Sequence, residues 1–228
     1  MAQQTNTGAV TVRILAALLG YPDARLRGHL PEMTQLLRQQ RALSPARSAE
    51  LLALIARLQA AAPLDCEAAY VELFDRGRAT SLHLFEHVHG DSRDRGPAMI
   101  DLGQTYEKAG LVLVEGELPD YLPAVLEFVS TQPAREAKAF LGEIAHLLTG
   151  IFGALHKRES AYASVLGALL ELAGEKAEAV EPAAEPPIDE SWAEPVVFDG
   201  CSTQGQAKPG QPQPVHIVRQ APLQGAAS

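Results

Sequence analysis

The sequence predicts an all-α protein, one helical domain followed by a disordered tail. Up to about residue 174 apolar residues recur at helical spacing in nearly every segment, and no run alternates with the two-residue period of a strand. Pro, Gly, Ser and Asp stand where helices should start and stop. After that point the periodicity ends.

The elements follow in order. Val10, Ile14, Leu15 and Leu18 make the first stripe, closed by Gly20 and Tyr21-Pro22, because proline disfavours helical backbone in the residue before it. Pro31 is read as opening a second helix through Leu36 and Leu37. Ser44-Pro45 is an N-cap with proline at the first helical position, and Leu51, Leu52, Ile55 and Leu58 supply the stripe that Pro63 ends. Asp65 is read as capping a helix that carries Tyr70, Leu73 and Phe74 and breaks at Gly77. Thr80 or Ser81 would cap a short helix through His89, stopped by Gly90. Further helices are expected at about 94–109, 119–131, 134–157 and 160–173.

Two echoes, Asp75-Arg76-Gly77-Arg78-Ala79 and Asp94-Arg95-Gly96-Pro97-Ala98, are read as corners between helices, with Gly77 and Gly96 at the junctions. The domain so defined spans residues 1–174. Residues 175–228 hold half of the 16 prolines, and there acids outnumber bases eight to three, the composition of a disordered acidic tail. Its apolar island at 191–198, Ser191-Trp192 to Val196-Val197-Phe198, could dock onto the helices or onto a partner.

Composition narrows the function. The 228 residues are 46% hydrophobic, enough for a core, and the formal charge of −9 with no free-standing basic cluster argues against nucleic acid. The longest early apolar run, Ile14 to Leu19, is too short to span a bilayer and no basic segment precedes it, so no membrane insertion and a cytoplasmic location are expected. Cys66 and Cys201 are too far apart for a CxxC pair, and Cys66 reads as a small core residue.

Chemistry concentrates between Tyr70 and Met99, where three histidines and four arginines stand among carboxylates. His83-Leu84-Phe85-Glu86-His87 fits H-x-x-E-H, in which two histidines one helical turn apart share a zinc ion and the glutamate acts as general base. A zinc-dependent hydrolase on His83, Glu86 and His87 is therefore the alternative reading, against a solvated or partner-facing polar face. Arg76, Arg78, Arg93 and Arg95 are expected to pair with Asp75, Asp91 and Asp94 at the junctions. No Walker loop and no G-x-S-x-G elbow is present. Glu107, Glu115, Glu117, Asp120 and Glu127 continue the acidic theme; along an apolar groove such residues would favour a peptide with leucines on one face and a basic end.

The run from Tyr70 to Ser81, then Leu84 to Gly90, Ser92 to Gly96 and Ala98-Met99, resembles the nitrate reductase molybdenum cofactor assembly chaperones, the nitrate reductase delta subunit family. Leu19-Gly20-Tyr21-Pro22, Glu117-Leu118-Pro119-Asp120 with Leu122-Pro123, and Arg158-Glu159-Ser160 with Tyr162 are similar to family segments in the same order. The likeness covers about residues 12–173, with a weaker echo at Trp192 to Phe198. It implies a TorD-like helical fold shared with the twin-arginine proofreading chaperones, no catalysis and no stably bound cofactor. The implied partner is the catalytic (alpha) subunit of respiratory nitrate reductase, bound at its N-terminal segment and kept ready for molybdenum cofactor and iron-sulfur insertion before membrane docking. Molybdenum cofactor biosynthesis proteins are further implied partners, and the chaperone is not part of the final enzyme.

His83 departs from the leucine usual at that position in the family, and the tail departs altogether. Candidate client contacts are Tyr70, Phe85, Glu86, Asp120 and Tyr121, with Glu86 and Asp120 at an acidic rim. Phe74, Asp75, Arg76, Gly77, Arg78, His87, His89, Gly90, Arg93, Asp94, Arg95 and Gly96 are family-motif residues that either hold the junctions or touch the client.

Overall fold

The computed structural model of the chain describes residues 7–90, 92–114 and 116–178. The apolar island at 191–198, and the tail from 179 onward, lie outside the described residues. Among the described residues ten α-helices follow one another: α1 (Thr7–Leu19), α2 (Ala24–Gln39), α3 (Pro45–Ala60), α4 (Pro63–Phe74), α5 (Leu84–Val88), α6 (Arg95–Lys108), α7 (Leu122–Thr131), α8 (Ala134–Glu143), α9 (Ala145–Lys157) and α10 (Ala163–Ala173). A 3-10 turn at Arg78–Thr80 joins α4 to α5.

A helix that is apolar all round belongs in the interior. α10, ASVLGALLELA, is that helix, and nine of its residues are buried, Leu166, Leu169 and Leu170 completely. It packs against α9, α8, α1 and α3, while α1 lies along α7. Leu15 and Leu18 of α1, Leu54 and Ile55 of α3, Leu126 of α7 and Ile151 of α9 complete the centre, each at most 1% exposed.

α3 starts as its sequence requires, with Pro45 in the first turn and the Ser44 hydroxyl accepting from Arg47 N–H. α2 does not. It begins at Ala24, where Asp23 accepts from Leu26 N–H at 2.8 Å, and Pro31 sits inside it rather than at its start. The proline removes one intrahelical bond, and burial of Leu30 and Leu37 holds the helix through it. Arg27, one turn before Pro31, donates to the Leu58 and Ala61 carbonyls and ties α2 to the end of α3. Pro63 opens α4 instead of only stopping α3, so Asp65 lies in the first turn and is not the cap.

The helix expected over 134–157 is two, α8 and α9, bent by 64° at Ile144. Leu141 of α8 and Leu148 of α9 are both buried, and both helices pack against α10. α7 starts at Leu122 rather than 119 because Pro119 and Asp120 belong to the preceding loop. Among the described residues no single helix is long and apolar enough to cross a membrane. Cys66 is buried, as a core residue should be.

Candidate functional site

Residues 75–121 hold the 3-10 turn, α5, α6 and the loop that follows, and one carboxylate ties several of them together. Asp120 is fully buried. Its backbone carbonyl accepts from Leu84 N–H at 3.0 Å, and Leu122 N–H returns a bond to the Leu82 carbonyl at 2.8 Å, so residues 82–84 and 120–122 are stapled antiparallel. The Asp120 side chain accepts from Phe85 N–H at 3.1 Å and thereby caps α5 from a distant segment. Its oxygens also face His83 Nδ1 at 3.4 Å and Arg95 Nη2 at 3.8 Å, and Arg95 reaches Glu86 at 3.7 Å. The hydrogen bond to Asp120 raises the His83 pKa, against burial, which lowers it.

Asp120 is therefore not at an exposed rim but inside, and Glu86 is half-buried in the same network. The zinc pattern also dissolves. His83 is the residue before α5, with φ −87° and ψ 103°, so it does not lie one helical turn from His87. Its ring is held by Asp120, and His87 Nε2 donates to the Ser81 carbonyl at 2.9 Å. No group of three metal-binding side chains with suitable geometry occurs among the described residues.

Beside this network runs a groove of about 460 Å³ lined by Tyr21, Tyr70, Phe74, Leu82, His83 and Tyr121, with Asp75, Gly116, Glu117 and Leu118 around its mouth. Tyr70 forms the floor. Its hydroxyl donates to the Leu19 carbonyl at 2.7 Å, which leaves Tyr121 to donate to Tyr70 Oη at 3.1 Å. Burial raises the pKa of both phenols, so they stay neutral donors. Tyr21 crosses the Tyr70 ring edge-on and donates to Glu67 at 3.0 Å, while the His83 and Tyr121 rings are 5.3 Å apart. The lining includes exposed apolar surface, with Leu118 at 44% and Tyr21 at 45%. Burial, with Glu127 adding to it, raises the Glu117 pKa.

Of the five candidate contacts, then, Tyr70 and Tyr121 meet in the groove. Phe85 packs edge-on to His89, and Glu86 faces Arg95, both away from the groove's lining. Tyr21 was legible only as part of a helix stop, yet its ring lines the groove from the end of α1. A Tyr-Pro directly after an apolar helix, with no i+4 partner to bury it, was the available signal.

The corner residues divide. A side chain at Gly77 would meet Thr80 Oγ1 at 2.5 Å and Arg158 Nη2 at 2.9 Å, and that hydroxyl donates to the Leu73 and Gly77 carbonyls, so glycine is required by close approach. Gly90 has a positive φ of 52°. Gly96 is no corner: it lies exposed in the first turn of α6, with open space around it. Two of the arginines take partners other than those expected, Arg76 pairing with Glu72 at 2.8 Å and Arg95 with Glu86 and Asp120. Asp94 pairs locally with Ser92, Arg93 is exposed, and Asp91 lies outside the described residues. Phe74 is core, its ring 5.1 Å from Tyr162.

Comparison with known proteins bears on the whole domain. The family model described as "Nitrate reductase delta subunit" matches residues 39–171. The chain is 49% identical over 161 residues to the nitrate reductase molybdenum cofactor assembly chaperone NarJ of Escherichia coli K12, covering 70% of this chain and 68% of that one. It is 43% identical over 164 residues to the probable chaperone NarW of the same organism, covering 72% and 68%. It is 31% identical over 168 residues to the probable NarJ of Bacillus subtilis 168, covering 73% and 89%.

Proposed function

The chain belongs to the nitrate reductase delta subunit family, and we propose from that membership that it is an assembly chaperone, not a catalyst, for respiratory nitrate reductase. It binds the apo catalytic subunit through that subunit's N-terminal segment, holds it open for molybdenum cofactor and iron-sulfur insertion, and releases it before membrane docking. The cofactors are the client's. The chain acts in the cytoplasm, meets molybdenum cofactor biosynthesis proteins on the client, and stays out of the finished enzyme. Residues 1–174 carry this work.

The observation that supports the reading is the aromatic groove. Exposed Leu118 and Tyr21 beside the buried Tyr70 ring make a surface that gains from being covered. Each leucine-sized side chain placed there contributes about 1.5–3 kcal/mol before ordering costs. Asp75 and Glu117 at the mouth select for a basic segment. A client helix with leucines on one face and a basic end fits both requirements.

The buried network of Asp120, His83 and Arg95 is the frame behind this groove, fixing the loop that carries Glu117 and Leu118. The test is isolation of the tagged full chain from nitrate-grown cells lacking the membrane subunit. The apo catalytic subunit should co-purify, and a catalytic subunit lacking its N-terminal segment should do so far less. Equal recovery of both forms contradicts the assignment of the segment; recovery of neither contradicts the function.

A further inference from the structure

α4 is apolar on two sides, and only one of them is covered. Cys66, Tyr70 and Phe74 face the core and are buried. On another side Leu64, Ala68 and Val71 follow one another at i, i+4 and i+7, a second apolar stripe where a helix with one core face carries polar residues. Leu64 is 76% exposed, Ala68 is exposed and Val71 is half-buried. The stripe lines a shallow groove of about 400 Å³ that also includes Tyr21. Tyr21 lines the aromatic groove as well, so the two grooves meet at its ring. That ring is fixed from two directions, edge-on against Tyr70 at 5.6 Å and through its hydroxyl to Glu67 of α4. It joins the two surfaces as a rigid bridge.

Charge has the same sign on both. Arg76 of the second groove pairs with Glu72 at 2.8 Å, and His83 of the first is held by Asp120, so neither cation is offered to a partner. Glu67 on α4 remains, with Asp75 and Glu117 at the mouth of the aromatic groove. None of the three has a cationic partner among the described residues, and together they favour a basic segment.

We propose that the surface that takes the client continues past Tyr21 onto the outer face of α4, where Leu64, Ala68 and Val71 seat two further turns of a basic amphipathic helix. The proposal rests on the reading of the aromatic groove as the client's site. From Leu64 to Val71 the helix rises about 10 Å, which sets the added contact at about seven client residues.

The test is calorimetric titration of a synthetic peptide of the client's N-terminal segment, and of versions shortened by about seven residues from either end, into the full chain and its variants. Leu64→Ser should weaken the whole peptide about fivefold without moving the melting temperature, since the side chain is mostly exposed. One shortened peptide should bind less tightly and be indifferent to Leu64→Ser, yet still be weakened by Leu118→Ser. Glu67→Gln, which keeps an acceptor for Tyr21, should weaken binding about twofold at low salt and leave it unchanged at high salt. Ile100→Ser, a comparably exposed apolar position on α6 outside both grooves, should change nothing. If Leu118→Ser weakens binding and Leu64→Ser does not, the client stops at Tyr21 and this proposal falls while the aromatic groove stands. Ile100→Ser acting as strongly as Leu64→Ser overturns it too, and a wild type that binds no peptide overturns both.

Discussion

α10 and the segment from Asp75 to Tyr121 are held in place by different physics. Every turn of α10 is buried, and its stability is shared among many apolar contacts with four neighbouring helices. The segment from Asp75 to Tyr121 has one short helix, a 3-10 turn, a long loop and α6, and its order converges on the carboxylate of Asp120 and the hydroxyls of Thr80 and Tyr106, the last donating to the Pro119 carbonyl at 2.7 Å. Shared packing makes a scaffold that tolerates single changes. A few converging polar bonds make a surface whose shape depends on individual atoms, which is what a recognition site needs.

This contrast can be broken first at its polar centre. Asp120→Ala leaves Phe85 N–H, His83 and Arg95 without their common partner, and breaking such a buried pair should cost about 3–5 kcal/mol in urea unfolding. Leu166→Ala, at a fully buried site in α10, should cost about 2–5 kcal/mol. The two should differ in kind: the Asp120 variant should lose amide protection in residues 82–122 selectively, the Leu166 variant throughout. If both spread equally, the segment is not an independent polar unit.

Gly77→Val comes next. Its side chain must push Thr80 and Arg158 aside, and overpacking of this kind costs about 1–3 kcal/mol. Gly96→Val, in open space, should cost well under that, a difference that thermal unfolding of the pair reads directly.

The smallest effect is electrostatic. Because His83 has its pKa raised in the folded state, its pairing with Asp120 contributes stability that is fully present below the unfolded value of about 6.5 and fades as pH rises through the folded value. Unfolding of wild type and His83→Gln between pH 5 and 8.5 should show a gap that closes with rising pH. A constant gap would mean that the ring acts by packing on Tyr121 alone.

Much of the scaffold was legible because its signals are local. Ser44-Pro45 placed α3 and the stripe of Val10 to Leu18 placed α1, since caps and periodicity act within one or two turns. Pro31 misled where Asp23 was the true start, because tertiary burial of Leu30 and Leu37 outweighs a lost backbone bond. The break at Ile144 was invisible because no proline stands there, and apolar spacing continues through it from Leu141 to Leu148. The site was the hardest to read. Nothing near Phe85 in sequence announces that its cap comes from Asp120, 35 residues on, or that Tyr21 completes a groove with Tyr121. H-x-x-E-H appeared as a helical pair only because the sequence does not show that α5 starts after His83.

The central claim is that the aromatic groove takes the client's N-terminal segment while the buried network only shapes it. Its most direct measurement is calorimetric titration of that segment, as a synthetic peptide, into the full chain and four variants of intact helicity. Wild type should bind, more weakly as salt rises. Leu118→Ser should weaken binding about tenfold by removing one apolar contact, Glu117→Gln less so, and Glu86→Gln and Arg57→Gln, outside the groove, should leave it unchanged. No binding by wild type at any ionic strength, or Leu118→Ser binding as wild type does while Glu86→Gln fails, would contradict the placement of the client in this groove.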